Sequence, residues 1–212
     1  MLTALRGSRR SQQSGAAADS PLSAAGGPGT DLRSYFACAV TRDGCAVAIR
    51  AIRPDDTGRL CEHFRSLSPT SAYFRFFGPK RRVSERELAG LTDIDFRRHV
   101  TLVATVRTTG AERIVGLGQY VVDDDRRQRA QLACSVVDEY QGRGIGTLLM
   151  EHLLGIARAR GVVEFAADVL GDNHTMLRLL TKSGLAMHRS TQAGIVHLTF
   201  SGAKADRFLA AA

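Results

Sequence analysis

Six residues, Gln141-Gly142-Arg143-Gly144-Ile145-Gly146, concentrate the chemistry that can be read from this chain. They follow an apolar run ending in Val136-Val137-Asp138 and lead into a segment whose Ile145, Leu149, Leu153 and Ile156 share one helix face. A glycine-rich passage from strand to helix suits an anionic ligand. The first amides of a helix have no internal acceptor, and the positive end of the helix dipole lies beside them. Glycine at 142, 144 and 146 lets main chain approach a ligand where a Cβ would intervene. The ligand expected is therefore a polyphosphate, and three interpretations of the loop stand side by side. A dinucleotide fingerprint reads G-x-G-x-x-G, whereas the spacing here is G-x-G-x-G, without a leading strand–helix–strand unit. A P-loop needs Gly-Lys-Ser/Thr, and Gly146-Thr147 lacks the lysine. The third is a strand-to-helix turn that holds no ligand.

The elements that position this loop follow from apolar period. Val47, Ile49 and Ala51 alternate as a strand, and Arg53-Pro54-Asp55 turns the chain into a helix with Leu60, Phe64 and Leu67 on one face. Ser68-Pro69 starts a short helix, and Ser84 with Glu87 has capping-box spacing ahead of Leu88 and Leu91. Val100 to Val106, Ile114 to Val122 and Ala130 to Val137 alternate as three strands, with a turn at Thr109-Gly110. The loop and its helix, stopping at Gly161, come next, then a strand over Val163 to Val169. Asn173 is placed to cap a helix ending at Gly184, and two final strands fall near Leu185 to Ser190 and Ile195 to Phe200. Helices, then a meander, then alternating strands and helices predict an α+β fold on one mixed, mostly antiparallel sheet. Met1 to Ser34, rich in Gly, Ser, Ala and Pro, is expected to be a disordered tail, and residues 45–201 the folded domain.

Of 212 residues 44% are hydrophobic, enough for one domain with a substantial core. No apolar run is long enough for a membrane helix, and no apolar h-region marks a secretory signal. Cys38, Cys45, Cys61 and Cys134 form no C-x-x-C pair and have no histidine at ligand spacing. Reduced thiols, no metal and a cytoplasmic location are expected. The net charge of +8 is carried by arginine, with Lys80, Lys182 and Lys204 the only lysines. It is compatible with an anionic ligand as well as with a plain solvated surface. Arg75, Lys80, Arg81 and Arg82 around Phe76 and Phe77 form a basic run, read as a surface loop; nucleic-acid binding is not expected.

The glycine loop resembles the Q/R-x-x-G-x-G/A loop of GNAT acyltransferases. Asn173, Met176, Leu179, Lys182 and Gly184-Leu185 resemble that family's second motif, and Ile52-Arg53-Pro54-Asp55-Asp56 its first-strand-to-helix junction. Leu67-Ser68-Pro69-Thr70-Ser71, Tyr73, Arg75-Phe76-Phe77 and Leu91-Thr92 look like the N-terminal half of a subgroup, the Pat-like protein lysine acetyltransferases. The similarity runs from about Val47 to Phe200. It implies the GNAT fold and acetyl-CoA as cosubstrate. It also implies that main-chain atoms of Ser135, Val136 and Val137 hold the pantetheine arm. Gln141, Gly142, Arg143, Gly144, Ile145, Gly146 and Thr147 would hold the pyrophosphate, Asn173 would meet the pantetheine or acetyl region, and Lys182 the phosphates.

Attack of an amine on a thioester needs a neutral amine, and a carboxylate commonly takes its proton. Pat-like enzymes carry that carboxylate in the strand before the loop, where this chain has Ala130-Gln131-Leu132-Ala133. Gln131 cannot accept a proton. Asp168 on the next strand is the expected substitute, ahead of Glu164, Asp138, Glu139, His174 and Tyr140. The function the resemblance implies is acetyl transfer to an amine, foremost a protein lysine, in a ternary complex. A small amine as acceptor, or a non-catalytic acetyl-CoA-binding regulator, remains an alternative because of Gln131.

Overall fold

The computed structural model describes residues 31–79, 83–108, 110–126, 128–182 and 186–201. Eight strands form one sheet: β1 (Phe36–Val40), β2 (Ala46–Ala51), β3 (His99–Thr108), β4 (Ala111–Val122), β5 (Arg129–Val136), β6 (Glu164–Leu170), β7 (Met187–Gln192) and β8 (Ile195–Ser201). Their order is β1-β2-β3-β4-β5-β6-β8-β7, antiparallel throughout except between β5 and β6. Among the described residues five α-helices accompany it: α1 (Thr57–Arg65), α2 (Pro69–Phe76), α3 (Glu85–Thr92), α4 (Ile145–Ala159) and α5 (His174–Thr181). This is the expected α+β architecture on a mixed, mostly antiparallel sheet.

The centre of the sheet is covered on both faces, so β3 is apolar almost continuously, and Val100, Leu102, Val103 and Ala104 are fully buried. Helix α4 lies unusually close to β4. A Cβ at Gly116 would stand 2.9 Å from Ile145 Cγ2 and Leu149 Cδ1, and one at Gly118 2.8 Å from Leu153 Cδ1. Two glycines one strand repeat apart thus make a groove into which the helix sinks, fixing where its N-terminus points. Helix α1 buries Leu60 and Phe64 as its period predicts, and Leu67 follows them into the core. The Ser84–Glu87 capping box of α3 is formed in both directions.

The chain joins the fold earlier than Cys45. Asp31 caps a 3-10 turn over Leu32–Ser34, accepting from the Arg33 amide, and Leu32 is fully buried. β1 then pairs with β2 from Phe36↔Arg50 to Val40↔Ala46. Its sequence, Phe-Ala-Cys-Ala-Val, carries no polar alternation, and as an edge strand it leaves Phe36 and Val40 exposed, so no period-2 pattern betrays it. The expected tail boundary at Ser34 therefore moves back for residues 31–34; the rest of that segment lies outside the described residues. At the turn after β2, buried Arg50 bonds Asp56 through both terminal nitrogens (2.6 and 2.8 Å) and Glu112 through Nε (3.0 Å).

Candidate active site

Strands β5 and β6 are parallel neighbours over only three residue pairs, from Arg129↔Glu164 to Gln131↔Ala166. Beyond these, β5 continues to Val136, still paired with β4, and β6 continues to Leu170, still paired with β8. The sheet therefore splits into a wedge whose vertex lies just past Gln131 and Ala166. A cavity of about 970 Å³ fills the wedge, lined by Gln131 to Val136, by Ala167 to Val169, by the glycine loop and by faces of α2 and α5.

The open edge of β5 offers main-chain donors and acceptors with a definite phase. The Val137 amide bonds the Val115 carbonyl (2.9 Å), so Ser135 and Ala133 direct their polar groups to β4, while the Val137 carbonyl accepts from the Tyr140 amide (2.8 Å). Leu132, Cys134 and Val136 direct theirs into the wedge. Main-chain contacts expected from Ser135 and Val137 thus pass to Cys134 and Val136. Ser135 instead turns its hydroxyl to Nε2 of buried His63 (2.9 Å), whose Nδ1 lies 3.3 Å from the Ile114 carbonyl. Burial, with the charges of Arg75 and Arg113, pushes the His63 pKa down to about 4, leaving the ring neutral. Val137 is fully buried and does not reach the cavity.

The loop glycines answer to two different constraints. Gly142 and Gly144 have φ of 76° and 97°, the left-handed region that penalises any Cβ. A Cβ at Gly142 would meet no protein atom within 4 Å, so the space beside it is open. Gly146 is a packing glycine, because its Cβ would lie 3.3 Å from Leu179 Cδ2 on α5. Leu148 is the first amide to find an acceptor in α4, bonding Gly144 O at 3.0 Å. The amides of Ile145, Gly146 and Thr147 precede it at the helix start, facing the cavity.

Two braces hold the loop. From the β1–β2 turn, the Arg42 amide bonds the Arg143 carbonyl (3.1 Å), while the Arg143 side chain pairs with Asp43 (2.9 Å) and lies over the Tyr140 ring. Arg143 is thus a scaffold residue outside the cavity lining, whereas Arg42 from the β1–β2 turn lines it. From α2, the Ser68 amide and hydroxyl and the Ser71 hydroxyl bond Asp138 at 2.7 to 2.8 Å. Burial pushes the Asp138 pKa up, but these donors outweigh it and hold the carboxyl below its ordinary range. Gln141 donates from Nε2 to Val136 O (3.0 Å) and Ser71 Oγ (3.1 Å), closing the loop onto both.

At the other wall, Asn173 caps α5 by accepting from the Met176 amide (3.1 Å), which leaves its Nδ2 for the cavity it lines. Lys182 stands at the C-terminal end of α5 and also lines the cavity; Gly184 lies outside the described residues. At the vertex, Gln131 and Asp168 meet: Gln131 Nε2 donates to Asp168 Oδ2 at 3.1 Å. The second oxygen, Oδ1, lies 2.7 Å from His197 Nδ1 on β8. His197 was not singled out in the sequence, since only the β6–β8 register, Asp168↔His197, brings it there. Glu164 pairs with Arg129 at the closed end and Glu139 with Arg113, so neither faces the vertex. All four cysteines are free, and no group of three or more His, Cys, Asp or Glu among the described residues is placed to hold a metal.

A wedge between parallel strands, a glycine loop at its mouth and a carboxylate at its vertex describe the site, and comparison with known proteins identifies the family. Residues 70–185 match the family described as Acetyltransferase (GNAT) family. An acetyltransferase of Pseudomonas aeruginosa is 33% identical over 147 residues, covering 69% of this chain and 78% of its own length. Acetyltransferase Pat of Mycolicibacterium smegmatis is 31% identical over 136 residues, 64% of this chain and 40% of that longer protein. The crystal structure of the GNAT domain of S. lividans PAT superposes with a TM-score of 0.72 at 33% identity, covering 79% of this chain and 97% of that one. The chain belongs to the GNAT family and is an N-acetyltransferase with Pat-like relatives.

Proposed function

We propose that the protein transfers the acetyl group of acetyl-CoA to an amine, foremost a protein lysine, by direct attack in a ternary complex. The observation that carries this is the wedge itself: its mouth presents the free amides of Ile145 to Thr147, its edge the main chain of Cys134 and Val136, and its vertex Asp168. In this reading the three meet pyrophosphate, pantetheine and thioester in turn. A solved acetyltransferase of the same fold, yncA of Salmonella typhimurium, holds its cofactor acetyl-CoA, though at 19% identity it speaks to fold alone.

In this reading the coenzyme lies along β5 as an added strand. The acceptor amine reaches the thioester as an ammonium and must lose a proton before it attacks. Asp168 takes that proton at one carboxylate oxygen, while Gln131 and His197 hold the carboxylate in place. The nitrogen lone pair forms the new bond to the acetyl carbon, the oxyanion is stabilised by main-chain amides of β5, and the C–S bond breaks; the second proton of the nitrogen passes to the leaving sulfur, giving the amide and CoA thiol. Gln131, at the family's base position, becomes a positioning residue. The resemblance of Leu67 to Ser71, Tyr73 and Arg75 to Phe77 to Pat-like protein lysine acetyltransferases supports the choice of a lysine acceptor.

The test combines calorimetric titration of acetyl-CoA with a CoA-release assay over lysine-containing proteins, peptides and small amines. Asp168→Asn is expected to leave coenzyme affinity within about twofold and to lower turnover at least about 100-fold, the usual weight of general-base help. Tight binding of acetyl-CoA with no turnover on any amine would instead describe a coenzyme-binding regulator. Turnover confined to small amines would reassign the acceptor.

A further inference from the structure

Arg75 lies on the cavity face of α2, within the basic run whose other cations are outside the described residues. It is not one of the surface arginines that its sequence context implies. Among the described residues its buried Nε has no hydrogen-bond partner and the guanidinium forms no ion pair. The ring of the adjacent Phe76, 5.7 Å from Cζ, packs against it. Burial holds its pKa below the ordinary arginine value, so the site already strains against the charge it keeps.

Among the described residues nothing nearby neutralises it. Its titratable neighbour on the open stretch of β5 is Cys134, whose thiol burial pushes up to about 12, and His63 beneath is neutral. The cavity is lined by two carboxylates, and both are committed: Asp138 to Ser68 and Ser71, Asp168 to Gln131 and His197. A half-buried cation facing only neutral groups is costly unless a ligand brings the counter-charge. The phosphates of a coenzyme have their own donors at the loop. Cys134 lies three residues along β5 from Gln131, within about 10 Å of the vertex. The unpaired charge therefore faces the open stretch of β5, between the glycine loop and the vertex.

We infer that Arg75 is a carboxylate-recognition residue of this site, and that the preferred substrate carries a carboxylate close to the reacting thioester. This rests on the acyl-transfer reading above. The carboxylate has two possible carriers with the same chemistry: an acyl group ending in a carboxylate, as in a succinyl or malonyl thioester, or an acceptor with an acidic group beside its amine. A bidentate guanidinium–carboxylate pair fits either.

Two arms separate the carriers. The first compares kcat/KM for succinyl-CoA and malonyl-CoA with that for acetyl-CoA. The second compares, with acetyl-CoA, a lysine peptide having glutamate beside the lysine and the same peptide with glutamine. In one arm the native protein is expected to prefer the carboxylate by about tenfold or more, the weight of one charge-assisted contact. Arg75→Gln is expected to abolish that preference, and Arg75→Lys to keep part of it, with acetyl-CoA affinity unchanged in both. No preference in either arm for the native protein would overturn the inference, whether or not a variant folds. So would a loss of acetyl-CoA affinity in Arg75→Gln without change in carboxylate selectivity, since that makes Arg75 a coenzyme contact. Acetyl-CoA binding to the native protein is measured first. Its absence sinks the acetyltransferase reading itself, whereas binding without carboxylate preference sinks only the role of Arg75.

Discussion

Asp168 is a carboxylate whose two oxygens are both engaged, one by an amide and one by an imidazole, and that arrangement sets what substitution would do. Gln131→Glu removes the donor at Oδ2 and puts a second carboxylate in its place. Two carboxylates that close do not both ionise at ordinary pH; they share a proton and titrate as a pair. If Asp168 takes the proton of the amine, the acid limb of the pH–rate profile is expected to move up by about one unit or more in Gln131→Glu. An unmoved profile, measured as kcat/KM against pH, would place the base elsewhere. The departure at Gln131 was legible from the resemblance to Pat-like enzymes, as was Asp168 on the following strand. His197 was not, because a histidine in an alternating strand carries no mark of the residue it will face across a ladder. Arg75 was visible but misleading: a basic run suggests solvent, and only the burial of α2 against β5 shows one member turned inward.

Elements were legible wherever one face is buried and the other is not. α1, α3, α4 and the strands from β2 to β6 announce themselves by period, capping box or glycine stop. Close approach of elements was not legible: Gly116 and Gly118 look like weak points in β4, yet they are the groove that seats α4 and aims its N-terminus at the cavity. β1 was missed for the opposite reason, an edge strand of unbroken small and apolar residues. Its turn nevertheless braces the glycine loop through Arg42 and Asp43, so the N-terminal elements contribute to the site. Removing the chain through Ser34 would take away Leu32, which is fully buried. A truncation beginning at Tyr35 is expected to lose about 2–5 kcal/mol, the range for emptying a leucine site, and to lower the thermal midpoint by several degrees. Leu32→Ala in the full chain is expected to reproduce most of that loss. Unchanged melting of both would mean that the 3-10 turn docks without contributing stability.

At the scale of the molecule, the buried titratable groups decide how the fold responds to acid. His63 is the clearest: it is 1% exposed, bonded to Ser135 and Ile114, and its pKa falls to about 4 through burial first and the neighbouring arginine charges second. An unfolded histidine titrates near 6.5, so between about pH 6.5 and 4 the unfolded chain binds a proton that the native chain refuses. Stability from this group is fully present above about pH 6.5 and is lost as pH falls towards 4, to the extent of about 3 kcal/mol. Buried His152 and half-buried His99 have pKa values lowered by burial and act in the same direction. Glu151 opposes them: burial raises its pKa to about 7, so its contribution is present at low pH and is lost as pH rises from about 4.5 through 7. It is partly exposed, and solvent screening reduces its weight against a fully buried ring. The histidines are therefore expected to prevail, and the thermal midpoint to fall between pH 7 and pH 5 while the carboxylate network at Arg50 and Asp56 is still ionised. His63→Gln, which keeps a polar group of similar reach but cannot titrate, is expected to melt lower at pH 7 and to show a shallower slope from pH 7 to 5. The comparison rests on the slope, which a simple packing defect would leave alone. An identical slope in native protein and variant would show that His63 does not control the acid response, and with it that the ring beneath Ser135 and Arg75 is not held neutral by its surroundings.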